Sequence, residues 1–256
     1  MANQTDLTLA NQLDNSNSLI QAKTAALTIS SQALNNTKGD IQSLQGRADI
    51  NTHQQTLDNT AGKIRSKSTL TLNSGKLDNT QGAIHSESDI WLDTHHQTLT
   101  NQNTLSSEQG IVALGKLTLK SADLVNQQGY IASREAQTLE ANAVDNTQGL
   151  IKANQALTFV AQSVENKEGI ISGKTVANIS VADHFSQTAG QLGADTLWLN
   201  AARLTSEEGS LISATKADIQ VSGPFSHQQS RLNTVGDLTV QSQGLNNLLG
   251  VITVSY

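Results

Sequence analysis

Residues 77–86 read Leu-Asp-Asn-Thr-Gln-Gly-Ala-Ile-His-Ser, and residues 144–151 repeat the pattern as Val-Asp-Asn-Thr-Gln-Gly-Leu-Ile. In both stretches an aliphatic residue is followed by Asn two positions later, by Gly five positions later and by Ile seven positions later. The same pattern occurs twelve times along the chain, at intervals of 19 to 25 residues. A repeat of about 20 residues that fills a chain indicates a solenoid, whose repeats stack on one another to bury a common core.

Two positions of the repeat are expected at turns. Asn stands at the first in nine copies, as Asn15, Asn36, Asn59, Asn79, Asn101, Asn126, Asn146, Asn166 and Asn247. Gly stands at the second in nine copies, as Gly39, Gly62, Gly82, Gly129, Gly149, Gly169, Gly190, Gly209 and Gly250. We predict that Asn tolerates a left-handed turn conformation and hydrogen-bonds from coil to coil, and that Gly supplies positive φ at the second turn.

Late repeats depart from this pattern. Gln187, Ser206 and His227 replace Asn in three consecutive copies. We expect the Asn stack to weaken there, which leaves room for a local binding feature.

Apolar residues alternate within each repeat, as in Leu-Thr-Leu at 70–72 and at 117–119. A period of two is typical of strands, and the Asn, Gly and Ser residues around these triplets are typical of turns. We therefore predict an all-β fold, a right-handed parallel β-helix of about twelve coils, three short strands to a coil. It forms one segment over residues 1–256, with repeats over approximately 6–255. At about 4.8 Å per coil, the rod is roughly 58 Å long.

The composition restricts the possible functions. Aromatic residues make up 3% of the chain, Pro224 is the single proline, and cysteine is absent, which excludes disulfides and thiolate metal sites. The net charge is −6, and the sequence contains no cluster of basic residues of the kind that binds nucleic acid. No apolar run is long enough for a membrane helix. We accordingly expect no nucleic-acid partner and no membrane insertion.

The repeat resembles the filamentous haemagglutinin repeat, on copies such as 77–86 and 144–151, and the resemblance covers the whole chain. That family builds the shafts of very large two-partner-secreted exoproteins of Gram-negative bacteria: filamentous adhesins, haemolysins and contact-dependent growth inhibition effectors. The resemblance implies a structural shaft segment at the cell surface, exported with an outer-membrane secretion partner, that projects a receptor-binding or toxin-bearing region. Because the repeats run from Leu7 to Ile252, we expect a segment of a longer shaft, uncapped at both ends and stacked end-on against the rest of its filament.

Two tryptophans are the first candidates for a surface contact. In Ile90-Trp91-Leu92 and Leu197-Trp198-Leu199 the flanking aliphatic residues should face inward, so Trp91 and Trp198 should face outward on the same side. With about five coils between them, they should lie roughly 24 Å apart. Each could contact a glycan, a target-cell receptor or another subunit, or could pack beneath a neighbouring side chain.

Two insertions could also carry contacts. The turn with His95 and His96 is predicted to be two residues longer than its equivalents, and the segment 103–115 to add about five residues, with Thr104 in place of the turn Gly. Insertions in solenoids map to loops and often to binding faces, although a tolerated bulge is the alternative. Adjacent strand residues point to opposite sides, so in a strand His95 and His96 could not share one metal.

An enzymatic function is the remaining alternative, because some β-helix proteins bind or cleave polysaccharides. Adjacent coils should place Asp58 beside Asp78 and Asp145 beside Glu165, at a spacing suited to a retaining acid and nucleophile pair. These residues occupy a turn position where solvated acids are expected, and neither an arginine nor an aromatic cleft accompanies them. We therefore expect no enzymatic activity, no metal site and no cofactor.

Overall fold

The computed structural model describes residues 4–106 and 108–255, except for the side chains of 210–214. These residues form thirty strands and no helix, and the strands pair in parallel with strands about 20 residues away. The predicted all-β parallel solenoid of about twelve coils is confirmed. The strands are as follows: β1 (Gln4–Thr8), β2 (Leu13–Asp14), β3 (Leu19–Ala22), β4 (Ala26–Ser30), β5 (Leu34–Asn35), β6 (Asp40–Ser43), β7 (Ala48–Asn51), β8 (Leu57–Asp58), β9 (Lys63–Ser66), β10 (Leu70–Asn73), β11 (Leu77–Asp78), β12 (Ala83–Ser86), β13 (Ile90–Asp93), β14 (Leu99–Thr100), β15 (Gly110–Ala113), β16 (Leu117–Lys120), β17 (Asp123–Val125), β18 (Tyr130–Ser133), β19 (Gln137–Asp145), β20 (Leu150–Ala153), β21 (Ala156–Glu165), β22 (Ile170–Gly173), β23 (Val176–Thr188), β24 (Gln191–Glu207), β25 (Ser210–Val221), β26 (Pro224–Gln228), β27 (Arg231–Val235), β28 (Leu238–Gln241), β29 (Gly244–Asn246) and β30 (Val251–Ser255).

Each coil contributes one strand segment to each of three sheets. Sheet A contains the Leu-Thr-Leu triplets, as in β10, which pairs with β7 and β13. Sheet B contains the short strands before the Asn position, as in β11, which pairs with β8 and β14. Sheet C contains the strands after the Gly position, as in β12, which pairs with β9 and β15. From β19 onward several strands continue around a corner, and β24 contributes to all three sheets.

The core runs along the axis as columns of aliphatic side chains. Leu72, Leu77 and Ile84 represent the inward positions of the three sheets, and each is completely buried. Burying one such side chain contributes about 1.5–3 kcal/mol, and each is enclosed only because coils stack on both sides of it. Most of the core is Leu, Ile, Val and Ala, as the narrow coil predicts, and Phe159, Phe185 and Phe225 are also buried.

The backbone corrects the prediction for the turns. The positive φ belongs to the residue before the Gly, as at Gln81 (55°) and Gln148 (54°), and neither the stacked Asn residues nor the Gly residues at the repeat position adopt it. A Cβ at Gly82 would lie 2.3 Å from the carbonyl oxygen of Asn59 in the preceding coil. The prediction of positive φ at Gly and of left-handed Asn was therefore wrong: Gly is required because the preceding coil passes too close for a side chain.

Candidate functional sites

The predicted Asn stack is present inside the coil. Seven hydrogen bonds of 2.6–2.8 Å link eight residues, each side-chain Nδ2 donating to Oδ1 of the Asn in the next coil, in the order Asn15, Asn36, Asn59, Asn79, Asn101, Asn126, Asn146 and Asn166. All eight are buried. Because every amide donates in the same direction, the ladder satisfies a buried polar column and fixes the register of consecutive coils.

The ladder changes chemistry where the sequence departs from Asn. Asn166 donates to Oε1 of Gln187 over a longer distance of 3.4 Å. The Oγ atoms of Ser206 and Ser230 are 3.2 Å apart, and His227 Nδ1 is 2.8 Å from Asn247 Oδ1. Gln187, Ser206 and His227 are completely buried, so these replacements weaken the ladder without presenting a side chain for an external contact.

The four acidic residues that the enzymatic alternative requires are paired in register, and three of them are engaged in turns. Asp58 lies opposite Asp78, and Asp145 lies opposite Glu165. Oδ1 of Asp78 accepts from the backbone N–H of Thr80 at 2.9 Å, and Asp58 and Asp145 make the equivalent bonds. A short acid or amide before the ladder Asn thus closes an Asx turn, a local role that sequence reasoning missed.

The two tryptophans face outward on sheet A, as predicted. Trp91 and Trp198 expose 43% and 41% of their surface. They belong to one column, which runs from Trp91 through Thr118, Thr138, Thr158 and Asn178 to Trp198. Five coil steps separate the rings by about 24 Å.

A lysine lies over each indole. Lys120 Nζ is 5.8 Å from the centroid of the Trp91 ring, and Lys216 Nζ is 4.8 Å from that of Trp198. The hydrogen bond from Lys120 to Glu140 raises the pKa of that lysine, which keeps it charged. Trp198 also borders a shallow cavity of about 240 Å³ with polar neighbours such as Asn178, Asn200 and Asp218.

The histidine turn differs in part from its prediction. The connection from Asp93 to Leu99 is two residues longer than that from Asn73 to Leu77, but the connection 51–57 has the same longer length. His95 and His96 both have positive φ, so they are turn residues rather than neighbours in a strand.

Contacts hold this turn against the coils beneath it. His95 Nδ1 is 3.0 Å from the carbonyl oxygen of Ser74, and Gln97 donates to the carbonyl oxygen of Gln54 at 3.2 Å, two coils away. In the structure, this turn spans the shorter turn at 74–76 and contacts the other long turn at 52–56. A contact to an outside partner through His95 and His96 stays a prediction.

The second insertion forms a groove. Register places the five extra residues between Asn101 and Gly110, since Gly110 pairs with Ala83. Thr104 anchors the loop: it is buried, its Oγ1 accepts from the N–H of Tyr130 at 2.9 Å, and it donates to the carbonyl oxygen of Asn101 at 3.2 Å. The loop borders a cavity of about 540 Å³ on sheet C, lined among others by Lys63, Arg65, Ala83, His85, Leu105 and Tyr130.

His85 lies in this groove, half-buried. Burial lowers its pKa, Arg65 lowers it further and Glu87 opposes the shift. Its Nε2 is buried without a hydrogen-bond partner among the described atoms. The sequence signalled the loop but not the groove, because the floor combines residues from separate repeats.

Two further kinds of feature are absent from the residues that the structure describes. Within 4–106 and 108–255, no three His, Asp or Glu side chains are grouped so as to hold a metal ion. The same residues contain no helix that could span a membrane.

The family is established by comparison with known repeats. The family model of the haemagglutinin repeat matches residues 2–46, 43–107, 98–223 and 192–255, which together span nearly the whole chain. No curated protein and no solved structure matches the chain significantly. A stacked repeat with this turn chemistry and a family match along its length leads to one conclusion: the chain belongs to the haemagglutinin repeat family.

Proposed function

We propose that this chain is a shaft segment of a large, secreted cell-surface filament of the adhesin type. The observation that carries the proposal is the continuity of the structure: parallel pairing links successive coils, and the Asn ladder runs unbroken from Asn15 to Asn166. Filamentous adhesins at the cell surface are typical of the haemagglutinin repeat family.

The shaft works by mechanical means. Inter-coil hydrogen bonds lie along the rod axis, so a pull along the axis loads all the bonds of a coil together. The buried amide column adds one further bond per coil step and resists sliding of one coil against the next. Such a rod is suited to hold a terminal module at a fixed distance from the producing cell.

The finer assignment is also proposed. The parent is a two-partner-secreted exoprotein of a Gram-negative bacterium, exported with an outer-membrane partner, and its shaft carries either an adhesive or a growth-inhibiting toxin module. The absence of cysteine suits a chain that is exported unfolded and folds outside the cell. The shaft stacks end-on against the rest of its filament through the same parallel pairing that joins its own coils.

The test removes one coil from the parent protein. Deletion of residues 137–156 joins Ala136 to Leu157, so that Leu157 takes the register position of Gln137. The Asn ladder then continues directly from Asn126 to Asn166. Attachment to target cells and antibody labelling of intact producing cells should both persist. The control, deletion of 137–146, removes half a coil and should abolish labelling. Loss of attachment with labelling intact in the one-coil deletion would overturn the shaft assignment.

A second function, glycan binding at the tryptophans, is favoured by the cavity beside Trp198. An exposed indole bordered by Asn178, Asn200 and Asp218 offers an apolar platform with polar groups at its edge. Trp198→Ala and Trp91→Ala should each reduce binding on a glycan array at least fivefold, with Val235→Ala, exposed on sheet C away from this cavity, as the control. Unchanged binding in both tryptophan variants would retire this function.

We propose no catalytic activity, because Asp58, Asp78 and Asp145 are engaged in turns. If the chain cleaved a polysaccharide and Asp78→Asn or Asp145→Asn abolished the cleavage, this part of the proposal would fail.

A further inference from the structure

The groove beneath the insertion loop has the dimensions of a peptide site. Its floor on sheet C extends from Lys63 through Ala83 and Gly110 to Tyr130 and Leu150, which belong to five consecutive coils. Four coil steps of about 4.8 Å make it about 19 Å long, the length of roughly six residues in extended conformation. Its volume of about 540 Å³ lies within the usual range for ligand sites.

The groove results from two small residues and one loop. Ala83 and Gly110 lie between the larger side chains of Lys63 and Tyr130, which leaves a depression in the outer face of sheet C. Leu105 on the loop, 50% exposed, forms a flanking wall. The bonds of Thr104 to Asn101 and Tyr130 fix the loop base, so the wall is held in place.

The lining separates charge from aliphatic surface. Lys63 forms no ion pair with any described residue, and Arg65 pairs with Asp40 while its Nε is buried without a hydrogen-bond partner. Two cations facing one carboxylate leave an excess positive charge at this end. Val112, Leu105 and Leu150 provide aliphatic surface elsewhere in the groove.

These features select one class of ligand. Sugar hydroxyls placed against Ala83, Val112 and Leu150 would lose water without gaining a hydrogen bond from these side chains. The polar loop residues Ser106 and Gln109 hydrogen-bond to each other. An extended peptide places aliphatic side chains on such a surface and keeps its outer backbone groups in water. Glu108 on the loop disfavours a second acidic residue beside it.

We propose that this groove binds an extended peptide segment of a partner protein, with an acidic residue at the Lys63 and Arg65 end and aliphatic residues towards Leu150. The site extends beyond the shaft role and does not depend on it, because it requires only the groove. In a shaft, such a site would let a second protein lie along the rod.

The test uses a random linear hexapeptide library displayed on phage and selected on the full chain. Peptides with Asp or Glu within four positions of Leu, Ile or Val should be enriched. Their synthetic forms should bind at least tenfold more weakly to Lys63→Glu and to Leu105→Asp. Both substitutions are at exposed positions, and unchanged thermal unfolding of each variant shows that the fold is intact.

Matched controls lie on the same sheet outside the groove. Lys152→Glu and Ile170→Asp change the same chemistry at exposed positions and should leave peptide binding unchanged. No enrichment, or equal binding to Lys63→Glu and wild type, would overturn the proposal. Binding of an oligogalacturonate that both groove variants abolish would overturn the peptide assignment in favour of an acidic glycan.

Discussion

Single residues inside the coil determine how firmly two coils are joined. Asn146 accepts from Asn126 and donates to Asn166, both at 2.7 Å. In Asn146→Ala, the amides on both sides lose a buried partner, so we expect the free energy of unfolding in urea to fall by about 2 kcal/mol. Asn154→Ala, at an exposed position of the same repeat, is the control and should change it by less than about 0.5 kcal/mol. Equal effects would show that the ladder adds no stability.

In the eleventh coil, where His227 replaces Asn, we expect a substitution to raise stability instead of lowering it. His227 is buried with Nε2 unpartnered, and its edge contacts the Phe225 ring at a centroid distance of 5.6 Å. His227→Asn removes the unpartnered nitrogen and restores an amide beside Asn247, so thermal unfolding should show a gain of about 1 kcal/mol. The reciprocal change, Asn79→His, should destabilise because it interrupts two ladder bonds. A loss of stability in His227→Asn would mean that ring packing outweighs the unpartnered nitrogen.

His85 predicts a pH dependence. Burial lowers its folded-state pKa below 6.5, so the unfolded chain takes up a proton first as the pH falls. This histidine therefore destabilises the fold progressively below about pH 6.5, and its effect is absent above that pH. The difference in urea midpoint between about pH 7.5 and pH 5 should shrink in His85→Gln, relative to wild type, because glutamine does not titrate. His53→Gln, at an exposed turn, is the control, and an equal reduction in both variants would contradict the assignment.

At the scale of the turn, two neighbouring residues have separate roles. A Cβ on Gly149 would lie 2.2 Å from the carbonyl oxygen of Asn126, whereas Gln148 has the positive φ. Gly149→Ala must separate two coils and should cost at least about 2 kcal/mol by urea unfolding. Gln148→Gly removes the strain of a left-handed non-glycine residue but raises the conformational entropy of the unfolded chain. These effects oppose each other, so the free energy of unfolding should change by no more than about 1 kcal/mol. A larger loss in Gln148→Gly than in Gly149→Ala would contradict the steric role assigned to Gly149.

The elements show which predictions the sequence could support. The repeat period correctly predicted the strands, the inward columns, the Asn ladder and the outward Trp91 and Trp198. Each of these features arises because equivalent positions of successive repeats stack on one another. The turn prediction failed because φ differs between adjacent residues that a sequence pattern treats as one turn. The groove could not be predicted from the sequence. Ala83 and Gly110 are neighbours only because the five extra residues before Gly110 form a loop, and the length of that loop sets the pairing.

At the scale of the whole molecule, stability should be a sum over coils. Strands pair with those of the neighbouring coils, so deletion of residues 137–156 removes one repeat and one interface. The surface exposed on unfolding should fall by roughly one twelfth, and the urea m-value with it, while the thermal midpoint changes by only a few degrees. Urea and thermal unfolding followed by circular dichroism measure both quantities, with the out-of-register deletion of 137–146 as the control. If the one-coil deletion unfolded the chain as completely as that control, the coils would not be interchangeable, and the shaft could not be a rod of equivalent repeats.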